Sequence, residues 1–372
     1  MADFPVIYSA RDAMDFLEAE KIPFEVIDYT QAGDPMLLIR KQGHGRPVMI
    51  TAGAHANEPS GVSAALALAR DWAFDFPLVM MPLRDPMGCR PYAANLSRAL
   101  GREVVFSDSM QLSELLLQNA DVVYCNDGNF QLVEIGGVLF NNFRQAIDDM
   151  DAYLGEVLTN AFMKEHPELL SSLAGKRLVS KPNSTPRAET VGQYGRSFVG
   201  YINAFGLFCN MNRRFGREDA PVEIKSVQRV FDATQPQFVL DLHEGFGSTY
   251  YMFNANYGVS DRAKVFAAAM SKRLAEVGEP THATDIAKHI EGFTDAYFEP
   301  VPGVIADVHF GNYDEQGSPE SQSMGLAFGA YCAMHGCPSF TIEAGNNAPM
   351  AARVNVQITG ALAALEALVG GA

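Results

Sequence analysis

Cysteine is scarce in this sequence and shows no pairing. The 372 residues contain five, Cys89, Cys125, Cys209, Cys332 and Cys337. They are scattered, odd in number and without a Cys-x-x-Cys spacing, which argues against both a disulfide framework and a cysteine zinc site. No run of 18 apolar residues occurs, so no membrane-crossing helix is expected. The opening stretch MADFPVIYSARDAMDF lacks a basic segment ahead of an apolar core and is not read as a signal peptide. The expectation is therefore a soluble, cytoplasmic protein. Basic residues are few, 28 against 44 acidic, and the net charge of −16 argues against nucleic acid and anionic membrane as main partners. There is no repeat and no low-complexity linker. No Gly-x-Ser-x-Gly occurs, the nearest stretch being GRSFVG, and a serine hydrolase is disfavoured accordingly.

What is present is ample apolar material, 48% of residues, patterned as alternating strands and helices. FEVIDY, MLLIR, PVMITAG, PLVMMPL, QFVLDL and PSFTIEA read as strands. Residues 10–20, 59–74, 260–277 and 350–369 carry helical spacing. The alternation predicts an α/β protein, a three-layer α/β/α sandwich around a central mixed, mostly parallel twisted sheet. The stretch from about 100 to 195 differs in texture, with a helix expected near 142–165 and an exposed polar loop at 180–190. It is read as an insertion into a single catalytic domain spanning 1–372.

Core packing does not explain AGAHANEPSG (52–61). An apolar strand there runs into His55 and, three positions on, Glu58. A catalytic zinc site uses neutral imidazoles and a carboxylate and leaves one position open. A strand-to-helix junction also lies where ligands gather in α/β folds. The pair alone is weak, since eight histidines produce such matches by chance. His282 and Asp285 form one, in what reads as a helix N-terminus. Other segments add to it. LDLHEG ends a strand in His243, with Asp241 on the same strand face two residues earlier, placed to orient a ligand. FTIEAG puts Glu343 inside an otherwise apolar strand, where an unpaired carboxylate is costly. NMNRRFG carries Asn212 and Arg213 in a loop. The Met and Phe residues of LFNNF and YYMFN read as core.

Taken in order, these segments resemble the zinc carboxypeptidase superfamily, which includes succinylglutamate desuccinylase and aspartoacylase. GRPVMITAGAHANEPSG is similar to the family's opening motif, and NMNRRFG to its Asn-Arg motif. DLHEG and FTIEAG resemble the segments of the third ligand and the catalytic glutamate. RDPMGCR (84–90) resembles the Asn-Pro-Asp-Gly segment but departs from it at Asp85 and Met87. The resemblance covers about residues 36–100 and 200–370. It implies one Zn2+ per chain on His55, Glu58 and His243. It implies Glu343 as general base and acid, and Asn212 and Arg213 as holders of a substrate carboxylate. The family's oxyanion arginine is assigned to Arg196, with a surface arginine as the alternative. The mobile tyrosine is assigned to Tyr313 in preference to Tyr331, since loops carry lids.

Only 29 residues follow Glu343 in the 372-residue chain, too few for the β-rich domain of the aspartoacylase branch. The expected activity is hydrolysis of an amide or peptide bond beside a free carboxylate, in short peptides or modified amino acids. An N-acyl-amino-acid deacylase and an inactive carboxylate-binding protein are the alternatives. Self-association is left open.

Overall fold

The computed structural model describes residues 4–55, 58–143, 154–181, 198–245, 247, 249–286, 298–306 and 326–371. Within these, fifteen strands form two sheets. The strands are β1 (Phe24–Tyr29), β2 (Pro35–Lys41), β3 (Val48–Ala52), β4 (Leu78–Met81), β5 (Val122–Asn126), β6 (Phe130–Ile135), β7 (Val138–Phe143) and β8 (Arg177–Ser180). They continue with β9 (Phe198–Ile202), β10 (Phe208–Cys209), β11 (Phe238–Gly245), β12 (Tyr250–Asn254), β13 (Phe298–Val301), β14 (Val304–Ala306) and β15 (Ser339–Gly345).

The main sheet has nine strands in the order β1-β2-β4-β3-β11-β15-β12-β14-β13. Side-chain alternation gives it two buried faces. Ile50, Leu240 and Ile342 share one core with the helices Ala10–Ala19, Pro59–Arg70, Asp261–Leu274 and Met350–Val369. Met49, Val239 and Met81 point the other way, into a core with the helices Val222–Thr234 and Phe328–Met334. This is the expected three-layer α/β/α sandwich with a mixed sheet. Parallel pairing is less extensive than expected, however. It joins β4 to β3, β3 to β11, β11 to β15 and β12 to β14, while the other four neighbours pair antiparallel. The short link between β1 and β2 permits only an antiparallel pair, because a parallel one needs a long crossover.

The second sheet, in the order β10-β9-β8-β7-β6-β5, falls largely in the stretch read as an insertion. The helices Tyr92–Leu100 and Ser109–Asn119 pack on one of its faces, and the helix Leu154–Glu165 on the other. Of the helix expected near 142–165, the part Leu154–Glu165 is helical, residues 144–153 lie outside the described residues, and Asn142 and Phe143 belong to β7. Their strand pairs with β6 over its whole length as an antiparallel hairpin, and this cross-strand pairing overrides the helical pattern. Most of the expected loop at 180–190 lies outside the described residues.

The two departures from the family's Asn-Pro-Asp-Gly segment are where this second sheet is anchored. The Asp85 carboxylate takes two hydrogen bonds from Arg177 of β8, at 2.9 and 2.7 Å. Met87 is buried in the cluster that contains Val133, Phe140 and Val179 of the second sheet. Arg177 also pairs with Glu223 of the main body, and all three charged groups are buried.

Candidate metal centre

His55 and Glu58 lie in the turn between β3 and the helix Pro59–Arg70, with Glu58 at the helix's N-cap position. Pro59 starts the helix, as its fixed φ and missing N–H suit the first turn. The helix must then run close against β11. Gly61 makes this possible, because a Cβ there would lie 2.5 Å from the Leu242 carbonyl oxygen. Glu244 fastens the same junction from the helix-side face of β11, opposite the face that carries His243. It accepts from the Ser60 N–H at 2.6 Å and pairs with Arg353 of the C-terminal helix. Sequence reasoning passed over Glu244. Its place beside the candidate ligand His243 was the available signal.

The result is that His55, Glu58 and His243 meet. Their ligand atoms all lie within 4.8 Å of one another. His55 Nδ1 is 2.7 Å from Glu58 Oε1, and His243 Nδ1 is 2.8 Å from Glu58 Oε2. Both imidazoles thus turn the same nitrogen to one carboxylate. Their outer nitrogens meet oxygens: His55 Nε2 is 2.7 Å from Asn210 Oδ1, and His243 Nε2 is 2.9 Å from Asp241 Oδ2. Oxygen acceptors at Nε2 favour the Nε2–H tautomer, which leaves each Nδ1 lone pair facing inward. Two lone pairs and a buried carboxylate then converge, and Glu58 Oε2 makes no aligned hydrogen bond. Such a cluster of acceptors needs a cation or a proton at its centre. The donor set of two imidazoles and one carboxylate suits zinc with one position left open. Asn210 was missed in the sequence, where only its position beside Asn212 marked it. Asp241 lies where the sequence placed it.

The electrostatics follow from this crowding. Burial pushes the Glu58 carboxyl up, but His55 and His243 outweigh it and bring it down to about 2. Burial opposes charge on His243, yet Asp241 and Glu58 together raise it well above the usual imidazole range. Burial also acts against an ionised Asp241, and Arg84 and His243 reverse this, holding it well below the usual carboxylate range.

Glu343 stands directly across from His243 in the parallel pairing of β11 and β15. Residues in register share a face, so both project into the same space. The Glu343 carboxyl is pushed up to about 8, first by burial and then by Glu58 and Asp241, with His243 and Arg213 pulling it down. On its other side β12 places Tyr251 in register with Glu343. The Tyr251 hydroxyl and Glu343 Oε2 share the space above Gly245, where a Cβ would lie 1.9 and 2.9 Å from them. The two tyrosines of the segment YYMFN go to different faces. Tyr250 joins the core, and Tyr251 sits on the face that carries His243 and Glu343.

Asn212 and Arg213 occupy a short 3-10 turn, Met211–Arg213. Asn210 Oδ1 fixes the turn by accepting from the Asn212 N–H at 2.7 Å. Asn212 is buried, while Arg213 is half-buried and its charge reaches both Glu343 and Glu156. Glu156, on the helix Leu154–Glu165, is pushed up to about 7 by burial, against the pull of Arg213. Arg196 and Tyr313 lie outside the described residues. Of the remaining histidines, His335 bonds the Tyr331 carbonyl and His282 starts a helical turn.

No family model matches the chain, and none of the curated proteins matches it. Among solved structures, a Shewanella baltica OS155 protein classed as a candidate metallopeptidase superposes with a TM-score of 0.50. It is 14% identical, over 96% of this chain and 91% of its own. The metallo-carboxypeptidase of Burkholderia cenocepacia gives a TM-score of 0.46 at 14% identity, covering 98% of this chain and 70% of that one. The murein-tripeptide amidase MpaA of Escherichia coli O157 gives 0.37 at 13%, covering 93% and 94%. At 14% identity the likeness to the Shewanella baltica protein is one of fold. Among the described residues no helix is long and apolar enough to cross a membrane.

Proposed function

We propose that this protein is a zinc-dependent hydrolase that cleaves an amide bond next to a free carboxylate. The observation that carries the reading is the convergence of His55 Nδ1, His243 Nδ1 and the Glu58 carboxylate, with Glu343 in register beside it. His55, Glu58 and His243 would hold the metal. When bound, zinc supplies a Lewis acid for the scissile carbonyl and the attacking water.

The chain's own groups do the rest. Glu343 takes a proton from the water on one carboxylate oxygen and returns it to the leaving nitrogen, a contribution of roughly 10²–10⁴ in rate. Burial restricts its rotamers and removes competing water. Tyr251, beside it, donates a hydrogen bond as charge builds on the reacting carbonyl. Asn212 and Arg213 bind the substrate carboxylate, the guanidinium through two parallel hydrogen bonds. This sets the scissile bond at a fixed distance from the substrate's terminus and selects exopeptidase-type cleavage.

Phe198 of the second sheet packs its ring 5.9 Å from the ring of His55. That wall on the centre supports small substrates, short peptides or acylated amino acids, over folded protein chains. The test is hydrolysis of an acyl-dipeptide by the zinc-loaded chain, compared with the same compound as its C-terminal amide. Cleavage of the free acid with little cleavage of the amide is expected. A chain that binds one zinc and cleaves neither compound overturns the reading.

A further inference from the structure

Arg84 was given no role from the sequence, yet its guanidinium bonds two groups of this site, Asp241 and Asn212. It is 3% exposed. Its backbone N–H bonds the Ala52 carbonyl at 2.8 Å, which ties it to the end of β3 just ahead of His55. Its guanidinium sits beside a packed pair of aromatic rings, 5.2 Å from the centre of Phe215 and 5.1 Å from that of Phe328, whose centres are 4.9 Å from each other. The ring pair backs one side of the fork. The fork's two ends then go to different places. Nη1 donates to Asp241 Oδ2 at 2.5 Å, and Nη2 donates to Asn212 Oδ1 at 3.0 Å.

Each contact orients a second group. Asp241 Oδ2 also receives His243 Nε2, while Asp241 Oδ1 accepts from Thr51 Oγ1 at 2.6 Å. The carboxylate is therefore held from three sides and determines the rotation of the His243 ring. Asn212 Oδ1 also accepts from the Phe328 N–H at 3.0 Å. Two donors on that oxygen define which way the amide is turned and commit its NH2 to other partners. An NH2 group turned outward is what a substrate carboxylate requires.

We propose that Arg84 is a positioning residue that couples the metal centre to the substrate-carboxylate subsite. One guanidinium sets the His243 ring through Asp241 and the Asn212 amide directly. The two subsites are thereby held at one spacing, which is the spacing between a scissile bond and a terminal carboxylate. This rests on the proposed hydrolase reading for the role of Asn212, and on geometry alone for the link to His243. Lysine could not replace the arginine fully, because an ammonium is a point charge and lacks the fixed fork.

The test is a set of full-length variants, Arg84→Met, Arg84→Lys, Asp241→Asn and the Arg84→Met/Asp241→Asn double variant. Folding is verified by circular dichroism and thermal melting. Zinc affinity is read by competition with a fluorescent chelator, without reference to activity. Arg84→Met is expected to weaken zinc binding by about 10–100-fold, as for other residues that orient metal ligands. The double variant is expected to be no weaker than Asp241→Asn alone, because Arg84 acts through Asp241. Arg84→Lys, which keeps the charge and serves if Arg84→Met does not fold, should restore most of the zinc affinity. It should still raise KM for benzoylglycyl-phenylalanine by about tenfold with kcat little changed, about 1.4 kcal/mol of carboxylate binding. A folded Arg84→Met chain with zinc affinity within about twofold of wild type, or losses that multiply in the double variant, overturns the proposal. A wild-type chain that binds zinc but leaves benzoylglycyl-phenylalanine intact overturns the hydrolase reading and the Asn212 half with it. The zinc measurements then decide the Asp241 half by themselves.

Discussion

His55 and His243 present their Nδ1 atoms to the two oxygens of a single carboxylate, that of Glu58, at 2.7 and 2.8 Å. The two histidines are far apart in the chain; His243 lies on β11 and His55 just past the end of β3, the parallel neighbour of β11. Everything else proposed for this protein depends on that meeting.

The cluster should hold one zinc per chain. Elemental analysis of protein purified without chelator or metal-affinity resin is expected to find a ratio near one, and His243→Ala to bring it near zero. Metal-free protein that refuses added zinc would remove the basis for hydrolysis and leave a carboxypeptidase-like fold used for binding.

Zinc affinity should rise with pH. In the metal-free chain Asp241 and Glu58 outweigh burial and raise His243 well above its usual range. Zinc must therefore displace a proton from the ring, and a rise in pH below that raised value removes the competitor. The expected slope is about tenfold in apparent affinity per pH unit for one displaced proton. Chelator competition from pH 5.5 to 8 measures it, and a flat profile would mean that His243 carries no proton in the metal-free chain.

Glu343→Gln should separate binding from chemistry. The amide has the shape of the carboxyl but cannot accept the water's proton. Zinc content is expected to stay unchanged while kcat falls by roughly 10²–10⁴. Tyr251→Phe should cost kcat about tenfold and leave KM nearly unchanged, the pattern of an interaction made only as charge develops.

Gly61→Ala tests the close approach of the helix Pro59–Arg70 to β11. The new methyl would sit 2.5 Å from the Leu242 oxygen, a backbone atom that cannot rotate away. A loss of about 1–3 kcal/mol in denaturant unfolding is expected, the usual cost of overpacking. Zinc affinity should fall with it, since Glu58 moves with the helix.

Arg177→Met tests the anchor of the second sheet. It strands Asp85 and Glu223 as uncompensated buried carboxylates, for which about 3–5 kcal/mol of destabilisation is expected. Equilibrium urea unfolding measures the loss, and a change under about 1 kcal/mol would show that solvent reaches the pair.

Much of the fold was legible because its signals are local. The apolar runs VMIT, FVLDL and FTIEA are continuous, as central strands covered on both faces must be, and each becomes one of β3, β11 and β15. The candidate metal-site residues were legible for a related reason. A histidine or glutamate at the end of an apolar strand is costly unless it has work there, so His55, His243 and Glu343 stood out against their neighbours. Asn210, Tyr251, Glu244 and Arg84 did not stand out. An asparagine in a loop, a tyrosine in YYMFN and an arginine in RDPMG are ordinary in those settings.

By itself the sequence determined the central strands of the main sheet and the helices that cover them, and marked His55, Glu58, His243 and Glu343, since periodicity and burial cost act over a few residues. The tertiary structure decided the partners: which strand lies beside which, which ring nitrogen faces inward, and which buried carboxylate each arginine meets. Those depend on hydrogen bonds between residues more than a hundred positions apart, such as Arg84 to Asp241. Their energy is recovered only after the chain has closed on itself, so no short stretch of sequence records them.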